Sequence, residues 1–317
     1  MPGSAALPTA SETVRCSDYA RSIAVDPVGT AIRADLLVAV EVPRPWPKPV
    51  ARHPMLAGVD VAVAAAPAPT RVLASVPGGD AEVMHVVAYR RTPGSSQVQR
   101  RVWRCAAPVV AATTVAIIEG RDPADADEVL DAAPHAEVWI CTQGSHDMCC
   151  GSDGTRLAQA IEGRWSDVTV RCVSHTGGHR FAPTAITLPD GRMWANLDVD
   201  SLEGVLRRDD DPTVMAGLAA RCRGWWGADV GPAQVAEREV FAATGWVWET
   251  APRRAEVVAT DGDVTTVRVT AGDGDLVSWL VRVAPTRSVP TISCRAPGGL
   301  PAKPGVEYGV VDIHPEA

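Results

Sequence analysis

No stretch of the 317-residue chain approaches the roughly 20 consecutive apolar residues that a membrane-spanning helix needs. The first thirty residues also lack a basic start followed by an apolar run. A cytoplasmic protein without a membrane span is therefore expected. An excess of positive charge is missing too: 30 Lys and Arg face 38 Asp and Glu, and the net charge of −8 argues against a general nucleic-acid binder. The one local exception is Arg90, Arg91, Arg100, Arg101 and Arg104, which reads as a solvated strand face, with a docking patch for an acidic redox partner as the alternative. No G-x-G-x-x-G follows a strand-like run, so a dinucleotide or flavin site of the chain's own is not expected. Internal repeats and long low-complexity tracts are absent as well, which leaves an ordinary folded chain large enough for two or three domains.

What the chain does have is eight cysteines spread over its whole length, with only Cys141, Cys149 and Cys150 close together. In a chain of this size without secretory features, such thiols are read as buried side chains or metal ligands rather than as a disulfide frame. Cys16, Cys105, Cys222 and Cys294 are expected to be buried apolar residues, and Cys172 to pack beneath a site.

The first dozen residues are small and polar and read as a frayed tail. The runs "DLLVAVEV", "RVLASV", "VMHVVAYR" and "QRRVWRCA" predict strands of an N-terminal α/β domain over residues 1–130. From there "AEVWICTQ" predicts a strand, "GTRLAQAIEGRW" a helix with Leu157, Ile161 and Trp165 on one face, and "VTVRCVSH" a second strand parallel to the first. A hairpin turning at Pro189-Asp190-Gly191 and a helix capped by Asp198 or Asp200 complete a thioredoxin-like layout over 131–212. Residues 213–317 predict a small α+β module: an amphipathic helix, then hairpins at Asp261-Gly262 and Asp273-Gly274, with Trp225, Trp226, Trp246 and Trp248 as core filler.

The parallel strands place Cys141 at the end of the first, Cys150 just before the helix, and His175 and His179 just after the second. Loops leaving parallel strands at one edge can converge, so two thiolates and two imidazoles can meet. A tetrahedral zinc site is one reading, but zinc-finger thiols usually stand two to four residues apart, and eight residues separate these two. A [2Fe–2S] cluster is wider and accepts ligands from separate loops. Gly177 and Gly178 between the histidines disfavour a helix and let the main chain adopt positive φ close to the group it binds. His53, His85, His135 and His314 lack such neighbours.

The run "CTQGSHDMCCGSDG…LAQAI" followed by "SHTGGHRFAPTAITLPDG", together with "GTAIRADLLVAVEVPRPW", resembles the sucrase/ferredoxin-like family. Its C-terminal half is similar to thioredoxin-like [2Fe–2S] ferredoxins, with "HTGGH" standing where those have a C-x3-C pair. The resemblance implies a [2Fe–2S] cluster held by Cys141, Cys150, His175 and His179, with Cys149 as the alternate to Cys150. Arg180 and Asp147 are expected close to the ligands, with ordinary surface charges as the rival reading. Where the family often has Arg-Asp before its cysteines, this chain has His146-Asp147. No pair of carboxylates stands out as a glycosidase site, so "sucrase" implies no activity here. Two imidazole ligands raise the potential of such a cluster, as in Rieske centres at about −150 to +300 mV against about −400 mV for plant-type ferredoxins. The expected function is one-electron, proton-coupled transfer between a separate donor, a reductase or ferredoxin, and an acceptor such as a ferric siderophore. No catalytic residue is assigned, and the alternatives are a redox or iron sensor using the same cluster, or a zinc-stabilised interaction module.

Overall fold

The apolar runs do form strands. In the computed structural model, which describes residues 5–92, 98–129, 136–144, 148–272 and 277–316, they are β1 (Leu36–Glu41), β2 (Thr70–Ser75), β3 (Val83–Arg91), β4 (Val98–Ala106), β5 (Ala126–Glu128), β6 (Ala136–Cys141), β7 (Val168–Val173), β8 (Ala185–Leu188), β9 (Arg192–Trp194) and β10 (Cys222–Trp225). These lie in one mixed sheet in the order β10-β9-β8-β6-β7-β2-β1-β3-β4-β5. A second, antiparallel sheet holds β11 (Arg253–Asp261), β12 (Val264–Ala271), β13 (Val277–Ser288) and β14 (Val306–Glu316) in sequence order. The helices are α1 (Cys16–Ser22), α2 (Val59–Ala65), α3 (Val110–Ile118), α4 (Thr155–Ala160), α5 (Val199–Arg207), α6 (Pro212–Arg221) and α7 (Pro232–Thr244). The fold is α/β.

Within the large sheet, β6 and β7 are parallel with α4 between them, β8 runs antiparallel to β6, and β9 antiparallel to β8. This is the thioredoxin-like layout that the strand, helix, strand, hairpin and helix order predicts. The hairpin turns at Pro189, Asp190 and Gly191, and Asp198 caps α5 by accepting from the Ser201 N–H while the Ser201 hydroxyl accepts from the Asp198 N–H. The helix expected through Trp165 is shorter. A π-helical turn over Cys150–Gly154 leads into α4, which ends at Ala160, although Ile161 and Trp165 remain buried.

β2 and β7 join the two halves of the sheet through a single antiparallel pair, Ser75 with Val173. At ~4.8 Å per strand, a flat sheet would place β4 roughly 24 Å from β6. Instead the Arg100 guanidinium of β4 donates to Glu137 of β6 at 2.8 Å, and Tyr89 of β3 packs edge-on against Trp139 at 5.8 Å. The two half-sheets fold over one another at that weak joint, and one core takes Val87, Tyr89 and Val102 from one half and Val138, Trp139 and Ile140 from the other. The same core continues through Trp194, Trp225, Trp226, Phe241, Trp246 and Trp248 to Val267, Val269, Val281 and Val283 of the second sheet, so the four tryptophans of the C-terminal region are core residues as expected. The opposite face of β1 presents Leu36, Val38 and Val40 to a second cluster under α2 and α3.

The N-terminal tail does not fray over its described part. Ala5 N–H donates to Ser288, Tyr19 Oη to the Ala6 carbonyl, and Gly298 N–H to Glu12. Nor do the five arginines make one solvated face. Arg91 is buried against Asp35, Arg90 donates to the Ile117 carbonyl, Arg100 reaches Glu137, and Arg101 pairs with Asp122 and Glu128; Arg104 is exposed. The β11–β12 hairpin turns after Asp261; Asp273 and Gly274 lie outside the described residues.

Candidate metal centre

Cys141 is the last residue of β6 and Cys150 opens the π-helical turn packed against that strand's end. A Cβ on Gly154 would run into the Cys141 carbonyl, so a glycine is required for the turn to sit there. His175 follows β7, and its N–H donates to the Gln143 side-chain oxygen at 2.9 Å while the Gln143 amide donates to the Trp46 and Pro47 carbonyls. The glutamine of "CTQG" thus ties the two converging loops together. The sulfurs of Cys141 and Cys150 and a ring nitrogen of His175 all lie within 4.8 Å of one another. Both cysteines have no exposed surface, and His175 is half-buried.

His179 stands one step away. Its ring centroid is 6.0 Å from that of His175, and its Nδ1 lies 3.2 Å from Cys16 Sγ. Cys16 in turn belongs to a second thiol group with Cys149 and Cys294, again with all three sulfurs within 4.8 Å of one another. Cys149 and Cys150 are neighbours in sequence but serve opposite sides, Cys150 with Cys141 and His175, Cys149 with Cys16 and Cys294. Cys16 and Cys294 are therefore not merely apolar filler, while Cys105 and Cys222 are buried outside both groups. Cys172 is half-buried on β7 and also belongs to neither group. Sequence spacing carried no signal for this second group, because its members are more than a hundred residues apart.

The paired glycines adopt positive φ, +76° at Gly177 and +64° at Gly178, and the second leads into the 3-10 turn His179–Phe181. What occupies the space a side chain at Gly178 would need is Arg223, whose guanidinium would be 2.6 Å from a Cβ there. Arg223, on β10, has no exposed surface and donates to Thr30 and to the Thr176 carbonyl. Burial pulls its pKa down to about 10, against the upward influence of Cys141 and Cys150. The Cys141 thiol is held well below the usual range, first by hydrogen bonding with Cys150 and then by His175, against full burial. Cys149 is pulled down to about 5, chiefly by hydrogen bonding with Cys16 against the cost of burial, and then by Ser17 and Cys294. Arg180 lies over the Phe181 ring and donates to Thr291 beside the second thiol group. Asp147, His146 and His135 lie outside the described residues. His53, His85 and His314 are bonded locally to Pro43, Glu41 and Asp312.

Two thiols and an imidazole within one ion's reach suit soft or borderline metals and iron–sulfur clusters. Among the described residues no helix is long and apolar enough to cross a membrane. No curated protein and no solved structure matches the chain. Residues 27–222, more than half of the chain and inclusive of Cys141, Cys149, Cys150, His175 and His179, match the sucrase/ferredoxin-like family. The chain belongs to the sucrase/ferredoxin-like family.

Proposed function

We propose that this protein is a one-electron carrier in which Cys141, Cys150, His175 and His179 hold a [2Fe–2S] cluster. The observation that carries the reading is the convergence of Cys141, Cys150 and His175 from the ends of two parallel strands. When bound, such a cluster supplies reversible one-electron chemistry at a potential raised by imidazole ligands. The chain's own residues do the rest. Gln143 fixes the backbone of His175, and Arg223 places positive charge behind the two thiolates, which favours accepting an electron. Nδ1 of His179 lies 3.2 Å from Cys16 Sγ, a contact that orients this imidazole beside His175.

His175 also forms part of the wall of a cleft of about 400 Å³ lined largely by Pro47, Pro49, Val59, Val63 and Leu73, with Lys48 and Arg71 at hand. An external acceptor seated there meets the imidazole edge, and the two cations outnumber the one carboxylate of the lining, Asp60, which favours an anionic acceptor. A separate reductase or ferredoxin supplies the electron.

The test is anaerobic purification followed by iron, acid-labile sulfide and visible spectroscopy. The expected result is about two irons and two sulfides per chain and bands that bleach with dithionite. The potential should fall as pH rises, with a slope approaching about 59 mV per unit, and His175→Cys or His179→Cys should flatten it. A colourless protein whose Cys141 and Cys150 hold a lone zinc would overturn the reading, as would unchanged spectra and pH dependence in both histidine variants.

A further inference from the structure

We propose that Cys16, Cys149 and Cys294 form a second metal site, which binds a single d10 cation of the zinc type through three thiolates. The Sγ atoms of Cys16 and Cys149 are 3.5 Å apart, as are those of Cys149 and Cys294, and all three fall within 4.8 Å of one another. At a Zn–S distance of about 2.3 Å, thiolates around one zinc stand roughly 3.8 Å apart in a tetrahedron and roughly 4.0 Å apart in a trigonal plane. The two separations to Cys149 are about 0.3 Å shorter than the tetrahedral value and the third lies within 4.8 Å, so small side-chain adjustments bring all three onto one ion. A disulfide would join only two of them and leave the third beside it, whereas Cys149 is equidistant from both neighbours.

The surroundings suit a thiolate-rich ion. Three thiolates and a divalent cation carry one net negative charge, and two guanidiniums flank it: Arg15, hydrogen-bonded to Ser152 and Asp153 on the π-helical turn, and Arg180 beside Thr291. Both interact favourably with the group, Arg15 with Cys149 and Arg180 with Cys16. The second site does not depend on the iron–sulfur reading of the first, and Cys16 and Cys294 lie outside the segment that matches the family.

The site has a definite mechanical role. Cys16 begins α1, Cys149 precedes the π-helical turn, and Cys294 sits in the loop between β13 and β14. That loop already touches the N-terminal segment before α1, with Arg295 N–H donating to the Val14 carbonyl and Thr13 bridging Pro297. An ion shared by the three thiolates would fasten both terminal regions to the rim of the large sheet, with the remaining thiol protons released on binding. Because Cys16 Sγ meets His179 Nδ1, the same ion would also fix the orientation of that imidazole.

The test uses the full chain purified without added chelator, with zinc and iron measured per chain and cobalt(II) as a spectroscopic substitute. Wild type should hold about one tight zinc equivalent, and cobalt should give thiolate charge-transfer bands. Cys294→Ser should reduce that zinc to near zero while leaving the iron content unchanged, and Cys16→Ser, whose sulfur also meets His179, should lose the zinc as well. Cys141→Ser should do the reverse. Cys294 is half-buried in a loop, so its serine variant is the gentler one, and far-UV circular dichroism checks that it folds. Should both serine variants misfold, cobalt titration of the chelator-stripped Cys141→Ser, Cys150→Ser double variant decides, because it lacks the thiols of the first group: thiolate bands support the second site and their absence overturns it. A protein without iron that keeps its zinc on these three residues would sink the electron-carrier reading and leave this one standing. Zinc unchanged in Cys294→Ser, iron lost there instead of zinc, or a Cys149 disulfide in zinc-free wild type would each overturn the proposal.

Discussion

A guanidinium without exposed surface sits behind Cys141 and Cys150 and fills the space left by Gly178. Its hydrogen bonds go to Thr30 and Thr176 rather than to a carboxylate, so the thiolates are the negative charges that offset it. Removing it with Arg223→Gln takes away a positive charge that favours the reduced state. If the cluster reading holds, the midpoint potential should fall by on the order of 50–100 mV, which is about 1–2 kcal/mol, the size expected for charges roughly 10 Å apart at an effective dielectric near 20. Potentiometric titration of the variant checks this, and an unchanged potential would remove Arg223 from the electrostatics of the site. Arg223 had no signature in sequence, because an arginine in a strand is ordinary until its neighbours are known. The four candidate ligands were legible as candidates because each sits at the end of a recognisable strand or turn. That Cys149 and Cys150 face opposite groups was not, because it depends on the local turn geometry.

At the scale of elements, β9, α7 and β11 meet around charges rather than around apolar side chains alone. Arg192 of β9 donates to Glu237 of α7 at 2.7 Å and to Glu249, which also pairs with Arg253 of β11 at 2.5 Å. Trp248 Nε1 donates to Glu237 at 2.9 Å, and Arg192, Glu237 and Glu249 have fully buried side chains. Two cations and two anions balance, so the network is costly to break at one member. Glu237→Gln leaves an uncompensated buried guanidinium and should destabilise the fold by about 3–5 kcal/mol. Guanidinium chloride unfolding measures this, and a loss under about 1 kcal/mol would show that the network relaxes freely. Element type was readable from periodicity, as in the β8–β9 hairpin and the Asp198 cap. The shortness of α4 was not, since the π-helical turn before it follows from how Gly154 packs on Cys141.

For the whole molecule, the decisive contact is Glu137, which joins the half-sheets. It has no exposed surface and receives hydrogen bonds from Arg100, Arg171 and Trp139. Burial pushes its pKa up, but the two guanidiniums and the indole N–H outweigh this and hold it below the ordinary carboxylate value. A depressed pKa contributes stability that is fully present above the unfolded value, about 4.3, and is lost as pH falls through the folded one. Acid unfolding should therefore steepen below about pH 4. Glu137→Gln should be less stable at pH 7 and show a weaker pH dependence below about pH 4, measured by thermal melts across pH 3–7. Identical acid profiles for the two proteins would contradict this.

The sequence by itself determined most strands of the large sheet, the helices α4, α5 and α7, the parallel β6–α4–β7 unit and the edge where Cys141, Cys150, His175 and His179 emerge, because those follow from local periodicity and from turn and cap chemistry. Only the tertiary structure decided that the two half-sheets fold over one another, that Arg223 fills the hollow at Gly178, and that Cys16 and Cys294 join Cys149. Those contacts link residues far apart in the chain, and their energies depend on burial and neighbouring charge, which no local pattern encodes.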